Sequence, residues 1–102
     1  MVKVESLTAE EKSLREKTSR LVEITKEVLG VRSSQTVSLS PAGNICVSHY
    51  SPQASGNPIF INPDANRILV ESEPYFKQAM DFAYAYEESL PGTEFVVKRT
   101  YI

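Results

Sequence analysis

The stretch "LTAEEKSLREKTSRLVEITKEVLG", residues 7–30, constrains the fold more than any other. At 100° per residue, Leu14, Leu21, Val22, Ile24, Val28 and Leu29 fall within an arc of roughly 160°, with Thr18 and Thr25 inside the same stripe. Lys12, Glu16, Ser19, Arg20, Glu23, Lys26 and Glu27 take the opposite side. Thr8 followed by Glu11 makes a capping box, Glu10 and Glu11 suit the positive end of the helix dipole, and Gly30 suits the residue that ends the helix. A helix apolar on one side only must lie on something flat. Leu7, Leu14, Leu21 and Val28 recur every seven residues, but the companion apolar line is missing, which argues against a coiled coil.

The flat partner is expected from the middle of the chain. In "QTVSLSPAGNICVSHY", Val37 and Leu39 alternate with Thr36, Ser38 and Ser40, and "SPAGN" supplies turn residues, so a hairpin returning through Ile45–Tyr50 is expected. "IFIN" between Pro58 and Pro63 is a short strand, "NPDAN" a turn and "RILVE" a further strand. In "SEPYFKQAMDFAYAYEESLPG", Ser72 is placed to cap, Pro74 fits a first turn and Pro91-Gly92 ends a second helix. Tyr75, Phe76, Ala79, Met80, Phe82, Ala83, Tyr86 and Leu90 share its apolar side, while Tyr84 lies on the far side. "EFVVKRTYI" is the last strand. The sequence therefore predicts one α+β domain over residues 1–102, in the order α-β-β-β-β-α-β, with two amphipathic helices on one face of a mainly antiparallel sheet.

Chemistry is sparse. The single cysteine, Cys46, and the single histidine, His49, lie three positions apart and so have opposite parity on a strand, which sets their side chains on opposite faces and argues against a catalytic pair. Ile45, Val47 and His49 share one face, placing His49 at the rim of the core as a structural histidine bonded to a backbone carbonyl; Cys46 reads as a small half-buried residue. No further Cys or His completes a zinc site, no acidic cluster has EF-hand spacing, and no phosphate-binding or nucleophile-elbow motif occurs, so neither a metal nor a cofactor is expected.

Eleven Lys and Arg interleave with thirteen Asp and Glu for a net charge of −2, which argues against generic nucleic-acid binding. Arg32, Arg67, Lys98 and Arg99 read mainly as solubilising charge. The apolar runs are too short to span a bilayer and the amino terminus lacks a signal-like apolar stretch, so a cytoplasmic location is expected.

One feature points towards function. "IFI", "ILV" and "FVV" are apolar at successive positions, as in strands buried on both faces. Two helices on one side leave the second face of such strands to something else: a protein partner, a second copy of the chain, or the loop over residues 51–58. The order of elements is loosely similar to that of some small bacterial immunity proteins, and it also resembles that of secretion chaperones, which are compact, acidic and partner-binding. That resemblance implies binding rather than catalysis and transfers no individual residue. The reading is a protein-binding module of adaptor or inhibitor type, or a homodimer, acting through the second face, with Tyr50, Tyr84, Tyr101 and Phe60 as anchors. The alternative is a small-molecule-binding or enzymatic domain built on the 51–66 loop, with His49, Asn57 and Asn62 as ligand-binding residues.

Overall fold

The computed structural model describes residues 8–51 and 53–101. The first helix, α1, spans Ala9–Leu29. Thr8 Oγ1 accepts the Glu11 amide at 3.1 Å, and Gly30, at φ +83°, donates its own amide to the Lys26 carbonyl at 3.0 Å. Both ends are closed as the sequence predicts. Leu21, Ile24 and Thr25 are buried, whereas Val28, counted in the apolar stripe, is exposed where the helix runs past the sheet.

Five strands follow: β1 (Val37–Leu39), β2 (Ile45–Val47), β3 (Ile59–Asn62), β4 (Arg67–Val70) and, after the second helix, β5 (Val96–Arg99). They form one sheet in chain order, antiparallel from β1 to β4, with β5 parallel to β4. The β1–β2 turn uses Pro41, then Gly43 at φ +85°, whose amide reaches the Ser40 carbonyl at 2.9 Å. A 3₁₀ turn at Glu73–Tyr75 leads into α2, Phe76–Ser89. Ser72 is extended and its side chain makes no capping bond, contrary to expectation; Pro74 alone sets that entry. β2 ends at Val47, short of the expected Tyr50: Ser48 Oγ takes the Thr36 amide at 2.6 Å, the Ser48 carbonyl accepts Gln35 Nε2 at 2.8 Å, and the Tyr50 amide donates to the Tyr75 hydroxyl at 3.0 Å.

Register fixes the faces. Ile45 and Val47, Ile59 and Ile61, and Ile68 and Val70 pair across β2, β3 and β4 and pack with Leu21, Ile24, Ala79, Phe82, Ala83 and Tyr86 into one core. Both helices lie on this face. Two buried polar groups tie the layers: the Thr25 hydroxyl donates to the Leu21 carbonyl at 2.6 Å and meets the Tyr86 hydroxyl, while Gln35 and Gln78 exchange amide bonds at 2.9 and 2.6 Å. Lys17, an interruption in the heptad line, donates to the Pro63 carbonyl at 2.8 Å and to Asn66 Oδ1. It clamps the β3–β4 turn to α1.

Candidate functional site

Since side chains alternate along a strand, the residues between the core positions occupy the other face. Pairing aligns them in a row: Ser38 opposite Cys46, Cys46 opposite Phe60, Phe60 opposite Leu69, and Leu69 opposite Lys98. A second row sets Asn62 beside Arg67 and Arg67 beside Val96. Cys46, Phe60 and Leu69 stand apart from the helix-side core cluster, and neither described helix lies over them. The middle of the face is apolar, and its borders carry Ser38, Asn62, Arg67 and Lys98 together with one apolar residue, Val96. Cys46 is only 6% exposed, tucked beside Phe60, whereas Val96 at the β5 border is 63% exposed. Desolvation pushes the Cys46 thiol above its ordinary pKa, so it is a packed thiol rather than an activated one.

The structure places the four expected anchors on three different surfaces. Phe60 is central to the open face. Tyr101 has the parity of Val97 and packs against the helix-side core. Tyr84 is 62% exposed on α2, in the helix layer, and Tyr50 lies beyond β2 with its ring stacked on Tyr75 at 4.9 Å. Continuous apolar strands identify Phe60 and Leu69 from sequence; Leu69, Val96 and the flanking cations are members of the face that the anchor set omits.

The alternative ligand set is likewise dispersed. Residues 49 and 57 flank the Val47–Ile59 end of the β2–β3 pair, while Asn62 closes the other end of β3, about 10 Å along the strand. Asn62 Oδ1 is occupied by the Asp64 and Ala65 amides at 3.0 and 3.1 Å. It lines a cleft of about 610 Å³ between α1 and the two turns, with Leu14, Arg15, Leu39 and Asn44, away from His49. His49 Nδ1 lies 3.3 Å from the Tyr75 hydroxyl, not at a backbone carbonyl. The same hydroxyl accepts the Tyr50 amide at 3.0 Å, so one oxygen meets both residues that follow Ser48. Tyr75 thus fixes the strand exit through one hydroxyl, a role no spacing in the sequence announces.

Among the described residues, no helix is long and apolar enough to cross a membrane. Comparison with known proteins finds no family, no curated relative and no solved structure that this chain matches.

Proposed function

We propose that the chain is a protein-binding module that docks a partner against the open face of its sheet. The observation that supports this reading is the registered apolar row Cys46–Phe60–Leu69, on the face that neither described helix occupies. A sheet with an apolar stripe on each side is completed by a third layer, and a folded partner supplies one. The polar borders at Ser38, Asn62, Arg67 and Lys98 match the polar rim around an apolar centre that stable interfaces share. Binding by this route needs no bond making, consistent with a Cys46 thiol held in its neutral form.

The test is native mass spectrometry of the chain purified gently from its own host, alongside Phe60→Asp. The wild-type chain is expected to carry a protein at fixed stoichiometry, and the variant, folded by circular dichroism, to run alone. A bare wild-type monomer, or a complex that survives Phe60→Asp, would sink the reading.

A further inference from the structure

We propose that the occupant of this face is an acidic protein segment, an apolar stripe flanked by carboxylates; this rests on the docking reading above and specifies the partner's chemistry. Every charged residue within the five strands is basic: Arg67, Lys98 and Arg99. Arg99 pairs with Val70 on the helix side, where its guanidinium lies 4.9 Å from the centre of the Phe76 ring. Arg67 and Lys98 take the open face. They are diagonal neighbours across the β4–β5 seam, both exposed, with Leu69 and Val96 beside them.

Among the described residues the only ion pair is Arg20–Glu23, so no carboxylate of those residues lies within 4.0 Å of either cation. In a chain of net charge −2, the strand residues of this face therefore carry positive charge only. Holding two like charges side by side is unfavourable, and a carboxylate brought between them relieves it. The relief is stronger once the apolar row has excluded water. Three acids continue this parity beyond the strand ends: Glu71 after β4, at the end away from Arg67 with its amide on the Pro58 carbonyl at 2.8 Å, and Asp64 and Glu94 at the Arg67 end, both exposed and neither paired with Arg67 or Lys98. A second copy would bring the same two cations rather than carboxylates. Single-stranded nucleic acid would need several aromatic platforms and a longer basic track, whereas the rows across this face hold one aromatic, Phe60, and two cations.

Two synthetic amphipathic helical peptides with one leucine stripe, flanked by Glu in one and by Lys in the other, are titrated against the full chain by fluorescence anisotropy, with oligo-dT as a third probe. The Glu peptide is expected to bind about tenfold more tightly than the Lys peptide and to weaken as salt rises; Arg67→Glu with Lys98→Glu is expected to invert the order. Equal binding, a preference for the Lys peptide, binding of oligo-dT alone, no binding at all, or a dimer that Phe60→Asp dissolves would overturn the acidic partner. If Phe60→Asp abolishes peptide binding while the charge reversals leave the preference unchanged, the docking face stands and its charge selectivity falls. If binding survives in folded Phe60→Asp, the docking face itself is wrong; Leu69→Ser carries the same test should Phe60→Asp fail to fold.

Discussion

Phe60 and Ile61 are consecutive residues of one strand, yet they belong to different environments. Ile61 is fully buried among the side chains of two helices; Phe60 is half-buried beside Cys46 and Leu69 with no described helix above it. On the helix side the apolar surface is already matched, down to the paired hydroxyls of Thr25 and Tyr86. On the other side the same strands offer apolar surface that the described helices do not match. One face stores stability; the other, on the docking proposal, is the surface that association would cover.

The difference is measurable by truncation at the adjacent positions. In urea unfolding, Ile61→Ala is expected to cost about 2–5 kcal/mol through lost burial and the cavity left behind. Phe60→Ala, although it removes more atoms, is expected to cost about 1 kcal/mol. Equal losses would mean that the two faces are equally covered, and the contrast would collapse.

On the helix side, alkali probes Tyr86. Burial raises the Tyr86 pKa well above its ordinary value of 10.0, outweighing the opposing effect of its bond to Thr25. An unfolded tyrosine releases its proton near pH 10 while Tyr86 in the folded chain keeps it, so the folded state binds more protons and loses stability as pH rises. The contribution is intact below pH 10 and is expected to fall by about 1.4 kcal/mol per unit above it. Comparison of Tyr86→Phe with the parent between pH 9 and 11 isolates this slope; parallel curves would show that Tyr86 ionises freely.

Cys46 reports on the open side. Its thiol is expected to react slowly with iodoacetamide at neutral pH, and Phe60→Ala, which removes its cross-strand cover, is expected to raise the rate several-fold. Ile61→Val, on the reverse face, should leave it unchanged. Acceleration by both would assign the effect to general loosening. The smallest effect belongs to Tyr84→Ala, on the outer side of α2, within about 0.5 kcal/mol in the same urea assay and without influence on docking.

The element order and both ends of α1 were legible in the sequence because each rests on local chemistry: period in the helices and strands, Thr8 and Gly30 at the caps, Pro41 and Gly43 in the turn; the cap expected at Ser72 was not made. Apolar residues at successive positions of "IFI" and "ILV" announced strands with two apolar faces, and Phe60 followed from them. Grouping the tyrosines did not succeed, since exposure of an aromatic says nothing about which layer carries it. Tyr101 follows the parity of Val97, but that parity acquires a face only once β5 is known to pair with β4. Tyr75 was read as one more apolar residue of its helix, because the targets of its hydroxyl lie 25 and 26 residues away. Contacts across that distance leave no periodic trace.

The parallel seam between β4 and β5 has a consequence for how the chain is made. Strands β1 to β4 are consecutive in the chain, joined by short turns at residues 40–44 and 63–66 and by the longer 48–58 connection, so each can pair soon after it is synthesised. β5 joins the sheet only after α2 has carried the chain back along it, with Arg67 waiting for Val96. Until residue 99 has left the ribosome, β4 is a border strand whose open hydrogen-bonding side runs beside Ile68 and Val70, both fully buried in the finished fold. A nascent chain halted within α2 is therefore expected to expose an adhesive edge, and the last strand to arrive is the one that closes it.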